Sequence, residues 1–438
     1  MLSRYFLFSS SLLSFSYAFI SDLTSQYDYN LITFFFLLSF SIFLITNLKK
    51  GFSCLSTFSF WFLFFNFMYM FIGPIYIYYF SYDFFPKNHD YDSDIFVFNS
   101  ALISYSLLTL LFSLFIHEPK NKQFNFYFIR NELLSNNKII KLYIISSALF
   151  LFTLLLFFSS GLYQLSFSGE DRVTIKDYID VDIWYLLGSI VSVFTCFIFT
   201  NYINIKNNRF NLFIIFLLSS TYYFIDLSIG GRKFLIYFSI VALFTLSKTN
   251  KLNVKKMLMI IIPIILAMLS RGLMDKVNWG ERDIIDIIVG YVGEFIFTNL
   301  TSTITVYSNY ASCDIYPSPI NPYLSWIFYY IPRAFFELKP YSVAYNFSAY
   351  MDVGMGFALT PLTESLCAFR GLGPYIFPLI FTIIIYIIYK LSKKYPYIYI
   401  LLISMVMDIN RGEISYFINN IIFMFFIWYC LERVNKSK

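Results

Sequence analysis

Runs of roughly 17–25 predominantly apolar residues recur from one end of this 438-residue chain to the other. As a helix, each is long enough to cross the ~30 Å hydrocarbon layer of a bilayer. Hydrocarbon offers backbone N–H and C=O groups no water to bond, so such runs must satisfy those groups internally, as helices do. The sequence predicts twelve crossings, at 3–20, 31–48, 54–80, 95–116, 139–158, 183–204, 209–229, 233–247, 257–273, 374–391, 396–410 and 413–432. With 58% apolar residues and a mean hydropathy of +0.65, the composition is far from that of a soluble protein of this length. The expected fold is all-α: a polytopic transmembrane helical bundle. No linker, low-complexity segment or repeat divides it, so residues 1–438 read as a single integral membrane domain.

Charge orients this bundle. With the N-terminus in the cytosol, the cytosolic loops and termini carry 20 of the 32 Lys and Arg residues against three of the 26 acids, Glu118, Glu132 and Glu432. The opposite face then holds 12 basic and 23 acidic residues. That asymmetry follows the positive-inside tendency and puts both termini in the cytosol. The net charge of +6 is therefore a topology signal and does not point to nucleic acid. Arg4 followed by an apolar run resembles a signal peptide, but no small-x-small cleavage site follows, so it reads as an uncleaved first helix. The five cysteines, Cys54, Cys196, Cys313, Cys367 and Cys430, lack CxxC or zinc spacing. Their odd number, with most inside crossings, predicts packing rather than a disulfide framework. Two histidines do not make a His-rich metal site, and no metal or cofactor is expected.

Short loops join most crossings, and two regions depart from that pattern. The polar 159–182 loop faces outward. The 274–373 region, between the ninth and tenth crossings, is a large extracytoplasmic loop. Its apolar stretches, 284–308 and 354–369, read as short or re-entrant helices at the outer interface. The alternative, in which both cross and put 311–353 in the cytosol, gives that region the wrong charge and puts Asp286 and Glu294 into lipid.

Arginines gather near this outer face. Arg232 lies in Ile229-Gly-Gly-Arg-Lys233, a tight hairpin whose glycines let backbone approach a ligand. Arg271 ends the ninth crossing, Arg282 follows in Trp279-Gly-Glu-Arg-Asp283, Arg333 lies in Tyr330-Ile-Pro-Arg333, and Arg411 in Asn410-Arg-Gly-Glu413. A guanidinium fork grips phosphate oxygens in bidentate fashion, and converging arginines suit a lipid-linked pyrophosphate at headgroup level. Snorkelling to headgroups is the structural alternative. Among acids, Glu364 follows Gly354-Met-Gly-Phe-Ala-Leu-Thr-Pro-Leu-Thr, ten residues before the tenth crossing. Partial burial there suits a general base; the alternative is a helix-end charge paired with Arg370. Asp352 and Glu294 are reserve acids. The strings Asp90-Tyr-Asp-Ser-Asp94 and Asp180-Val-Asp182 read as solvated outer-loop acids, because nucleotide sugars are not expected on that side. No HExxH, P-loop or GxSxG string occurs.

In order, the Gly-Gly-Arg hairpin, a long outer loop with Ile-Pro-Arg, the glycine-rich segment before Glu364, Phe369-Arg-Gly-Leu-Gly373 and Asn410-Arg-Gly-Glu413 resemble the Wzy-type O-antigen and capsule polymerases, the oligosaccharide repeat-unit polymerases. The likeness covers mainly residues 225–432, and Arg282 with Gly293 fits the Arg-x10-Gly spacing of some members. The resemblance implies a GT-C-like helical fold and a glycosyltransferase on the outer face of the bacterial cytoplasmic membrane. Its donor and acceptor are glycans linked to undecaprenyl pyrophosphate, and its partners are a flippase and a chain-length regulator. Arg232, Arg282, Arg333 and Arg411, with Arg271 as a weaker fifth, would hold the donor pyrophosphate; Glu364 would be the base. An O-antigen ligase is the nearest alternative, but members of that family are thought to use a histidine in the large outer loop, and 274–373 has none. A lipid-linked oligosaccharide flippase is the other alternative. Transporters usually carry midplane charges and similar halves, whereas here the ionisable residues sit near the ends of crossings.

Overall fold

A computed structural model describes residues 2–80, 90–116, 135–164, 181–202, 208–229, 231, 233–262, 295, 298–328, 331–351 and 358–436. All regular structure among them is helical. The main helices are α1 (Leu2–Thr24), α2 (Tyr29–Leu48), α3 (Phe58–Phe80), α4 (Tyr91–Phe115), α5 (Asn136–Ser159), α6 (Val181–Tyr202), α7 (Arg209–Ser228) and α8 (Lys233–Lys248). After them come α9 (Val343–Met351), α10 (Pro361–Phe369), α11 (Gly373–Lys394), α12 (Pro396–Ser404), α13 (Val406–Arg411) and α14 (Ile414–Lys436). Residues 254–262 and 298–307 are also helical.

Among the described residues, nine helical stretches are long and apolar enough to cross a membrane, and each coincides with a predicted crossing. The other three predictions fare differently. Segment 233–247 is helix α8, but its 16 residues span only about 24 Å. Segment 257–273 is helical to 262 and then leaves the described residues. Segment 396–410 is not one helix: it breaks at Met405 into α12 and α13. The apolar stretch Pro361–Lys394 is 34 residues long, yet Arg370, at φ 55°, ends α10 before α11 begins. The nine-residue α10 is thus separate from the predicted 374–391 crossing, which α11 carries.

The described residues group into two compact units. The first comprises Met1–Glu118, Val292–Lys394 and Met405–Asn420. Its centre is α4, packed against α1, α2, α3 and α11. Small and polar residues on α4 allow this close approach, as is common between helices in membranes. Asn99 donates to the Ala18 carbonyl at 3.0 Å and Ser104 to the Pro374 carbonyl at 3.0 Å. Asp90 caps α4, accepting the Ser93 N–H at 2.8 Å. Rings from α2, α3 and α4 stack in the interior, with Phe36 at 5.6 Å from Phe98 and Phe40 at 3.6 Å from Phe67.

The second unit comprises Pro119–Tyr291, Tyr395–Ser404 and Ile421–Lys438. Within it α7 packs against α5 and α6, and α8 against α6 and α12. Gly188 makes the contact with α8 possible: a Cβ there would lie 2.2 Å from the Phe234 ring. Trp428, fully buried, stacks on Tyr397 and meets Phe197 edge-on.

Candidate functional site

Glu364 occupies the first turn of α10. Thr360 caps that helix, its hydroxyl accepting the Thr363 N–H at 3.1 Å, and Pro361 supplies a helix-compatible φ at the first position. Beside the cap lies a buried hydroxyl cluster: Thr363 is 2.7 Å from Ser302 and 2.9 Å from Thr301, both on the 298–307 helix. The other end of α10 is fixed by Gly373, where a Cβ would come within 2.6 Å of the Ser365 carbonyl oxygen. The chain can re-enter the bundle as α11 this close to α10 only because that position has no side chain.

Glu364 is completely buried. One carboxylate oxygen, Oε2, accepts the Ile414 backbone N–H at 2.8 Å. Oε1 has no hydrogen-bond partner among the described residues. Ile414 is the first residue of α14, so the carboxylate lies at the positive end of a helix dipole. Immediately before it, Glu413 is buried too, and its situation is the reverse. Its Oε1 accepts the Ala344 N–H at 2.6 Å, at the N-terminus of α9, and Ser415 Oγ lies 3.3 Å from Oε2. Two buried carboxyls thus each use a helix N-terminus to offset part of the cost of desolvation. Glu413 is satisfied; Glu364 keeps one oxygen unused.

The 3-10 turn Pro322–Phe328 packs on α10. Asn321 fastens it, donating to the Ala368 carbonyl at 3.1 Å and accepting the Tyr323 N–H at 2.9 Å. The Tyr323 ring lies 5.1 Å from Phe369. Its hydroxyl is buried and has no hydrogen-bond partner among the described residues. Burial, and then the charge of Glu364, push its phenol well above the usual tyrosine range, so it stays protonated.

Arg370 does not pair with Glu364. Its guanidinium bonds Asp314 at 2.6 Å and lies over the Tyr310 ring at 4.5 Å, in an exposed cluster. Beside it, Cys313 and Cys367 form a disulfide, their Cα atoms 5.5 Å apart. This corrects the expectation that the cysteines only pack. The segment following the 298–307 helix lies alongside α10, in a core with Leu300, Ile304, Val343 and Phe347, and that packing joins thiols 54 residues apart. Cys54 and Cys196 are free and buried, and Cys430 is free and exposed.

Of the expected phosphate-binding arginines, Arg411 is described: it ends α13, half-buried, two residues before Glu413. Its segment is held by Asn410, which is fully buried. Asn410 accepts from Asn66 of α3 at 2.9 Å and donates to the Val406 carbonyl at 2.9 Å. The Asn410–Glu413 motif is thereby brought to Glu364 through Ile414. Arg333 opens a 3-10 turn, Arg333–Phe335, and its side chain lies outside the described atoms. Arg232, Arg271 and Arg282, and the reserve acids Asp352 and Glu294, lie outside the described residues.

Of the Gly-Gly-Arg string only Gly231 is described, and its surroundings explain why it is glycine. Gly231 donates its N–H to the Asp226 carbonyl at 2.6 Å, and a Cβ at Gly231 would fall 2.1 Å from Asp226 Oδ1. That carboxylate oxygen accepts from the Trp184 indole at 3.0 Å.

Sequence reasoning missed Glu413, Tyr323 and the disulfide. Glu413 was within reach, since it closes a motif already singled out for its arginine. Nothing local marks Tyr323. Among the described residues no group of three His, Cys, Asp or Glu residues is placed to hold a metal ion. No protein-family model, no curated protein and no solved structure matches this chain.

Proposed function

We propose that this protein polymerises oligosaccharide repeat units linked to undecaprenyl pyrophosphate, on the outer face of the bacterial cytoplasmic membrane, as a glycosyltransferase of O-antigen or capsule synthesis. The observation that carries this reading is Glu364: a fully buried carboxylate, held at one oxygen by Ile414 and without a partner among the described residues at the other. Intramembrane or interfacial ionisable residues are expensive and tend to mark function. The Cys313–Cys367 disulfide supports an extracytoplasmic position for this region, because disulfides persist in oxidising compartments.

In this reading Glu364 Oε1 takes the proton from a hydroxyl at the non-reducing end of the acceptor repeat unit. The hydroxyl oxygen forms a bond to the anomeric carbon of the growing glycan. The bond from that carbon to the pyrophosphate oxygen breaks, and its electron pair leaves on undecaprenyl pyrophosphate. Arg411, Arg333, Arg282 and Arg232, with Arg271 in a lesser role, neutralise the charge that develops there. Asp352 and Glu294 remain reserve acids, and a flippase and a chain-length regulator would work beside the enzyme.

The test is the surface-glycan profile of a strain lacking the protein. Loss of the polymer ladder with retention of a core-plus-one-repeat band is the expected result. Loss of every surface glycan, the single repeat included, would point to a ligase or a flippase and overturn the reading. Alanine at any two of Arg232, Arg282, Arg333 and Arg411 should likewise leave only single capped repeats; wild-type chain lengths would remove those arginines from the site.

A further inference from the structure

We infer that Tyr316, Tyr341 and Tyr345 form a glycan-binding platform, on which a sugar ring of the substrate rests at a distance from the reacting bond. The inference rests on the function proposed above and adds a subsite to it. The rings come from two segments, the one that follows Cys313 and the start of α9, and they touch one another. Ring centroids lie 4.9 Å apart for Tyr316 and Tyr341, 5.4 Å for Tyr316 and Tyr345, and 5.0 Å for Tyr341 and Tyr345. Hydrogen bonds fix the backbone beneath them. The Tyr316 N–H donates to Oδ1 of the buried Asn346 at 2.7 Å, and the Tyr345 N–H donates to the Ser342 hydroxyl at 3.1 Å. Tyr316 and Tyr345 are nevertheless 40% and 51% exposed. A contiguous exposed patch of large side chains marks an interaction surface, and a fixed backbone lowers the ordering cost of binding there.

Position and chemistry select the occupant. Ala344, next to Tyr345, gives its N–H to Glu413, and Ile414, next to Glu413, gives its N–H to Glu364. These links hold the Tyr345 backbone within roughly 20 Å of the proposed base, a distance that a short oligosaccharide spans. The surroundings are aqueous. Asp314, two residues before Tyr316, pairs with Arg370 at 2.6 Å, their side chains 55% and 46% exposed. An ion pair this exposed is costly in hydrocarbon, so the patch belongs to the water side and not to lipid tails. The rings lie between 16° and 38° from parallel, which gives a broad face and not the crossed walls of a cage around a cation. An aromatic face is the negative part of its quadrupole, and the C–H bonds on one side of a pyranose carry the complementary partial positive charge. Phenol hydroxyls at the edge donate to and accept from sugar hydroxyls. A pyrophosphate, whose charge the ring faces repel, does not fit there.

The test uses the full-length protein in lipid nanodiscs and, as probe, short oligosaccharides released from the surface glycan of the wild-type strain. Binding is measured by calorimetry for the wild type, for Tyr316→Ala with Tyr345→Ala, and for Tyr316→Phe with Tyr345→Phe. Both positions are exposed, so the thermal midpoints should stay close to that of the wild type. Each lost ring should weaken binding about three- to tenfold, and the phenylalanine pair, which keeps both faces, should recover most of the affinity. In cells the alanine pair should give a ladder shifted to shorter chains, with extension itself retained. No binding to the wild type, or wild-type affinity in the alanine pair, overturns the platform and leaves the tyrosines as membrane-interface aromatics. Should the strain lacking the protein then still show only a core-plus-one-repeat band, the polymerase reading stands without the platform. Weakened binding in the alanine pair, together with loss of every surface glycan from that strain, keeps the platform and removes the polymerase reading.

Discussion

Glu364 and Ile414, fifty residues apart, are joined by a buried hydrogen bond of 2.8 Å that makes a side chain of α10 the cap of α14. The bond occupies one carboxylate oxygen and leaves the other without a hydrogen-bond partner among the described residues. Glu364→Gln preserves an amide oxygen to accept the Ile414 N–H, so the fold should survive. General base catalysis is worth about 10²–10⁴-fold, so polymer synthesis should drop by at least a hundredfold while lipid-linked repeat units accumulate. Quantifying polymer and lipid-linked intermediate in the same cells checks this; an active Glu364→Gln protein rules Glu364 out as the base.

Glu413 should behave differently because both of its oxygens are engaged. Replacing it with Ala strands the Ala344 N–H at the start of α9 and removes a charge from that helix's positive end. An unsatisfied buried donor costs about 1–3 kcal/mol, so the purified protein should melt several degrees lower in detergent. Glu413→Gln, which can still accept, should recover most of that loss. If Glu413→Gln is instead as inactive as Glu364→Gln with no loss of stability, the two acids share the chemistry.

The crossings were readable because hydropathy is a local signal and a bilayer imposes a length. That same signal could not reveal the break at Met405: hydropathy averages over the whole run, while α12 packs on α8, and α13, which carries Asp408, Asn410 and Arg411, packs on α3. Glu364 stood out as an acid among apolar neighbours. Tyr323 is one of 38 tyrosines, and only the packing of the Pro322–Phe328 turn onto α10 distinguishes it. The cysteine pair was hidden by arithmetic, since an odd total and three cysteines inside crossings suppressed the one pair that the outer segment brings together.

That pair gives a topological prediction. In a Cys430→Ser background, a thiol reagent unable to cross the membrane should label intact spheroplasts only after treatment with an impermeant reductant. Cys54 and Cys196 are buried and should stay silent. Labelling that requires permeabilised membranes would place the 311–369 region in the cytosol. Cys313→Ser with Cys367→Ser should also lower stability by about 2–4 kcal/mol, as removal of a cross-link closing a loop of this size does.

Arg370 and Asp314 set a contrast with the buried acids. Their side chains are 46% and 55% exposed, and exposed ion pairs contribute about 0–1 kcal/mol. Arg370→Ala should therefore shift the melting temperature little and leave the glycan ladder unchanged. A collapse of the ladder without a change in stability would bring Arg370 into the site.

Gly371 and Gly373 are two residues apart and should respond to alanine in opposite ways. A Cβ on Gly371 meets nothing within 4 Å, whereas on Gly373 it would press on the backbone of Ser365 and Leu366 at 2.6–2.8 Å. Backbone cannot rotate aside as a side chain can, so Gly373→Ala must push α11 away from α10, at a cost of about 1–3 kcal/mol. The displacement would reach Glu364, one residue before Ser365, and shift its carboxylate against the Ile414 N–H. Gly373→Ala should thus lose polymer out of proportion to its loss of stability, while Gly371→Ala keeps both. Thermal melts and glycan ladders on the two variants decide the matter, and equal behaviour would mean that the contact between α10 and α11 does not set the geometry of the site.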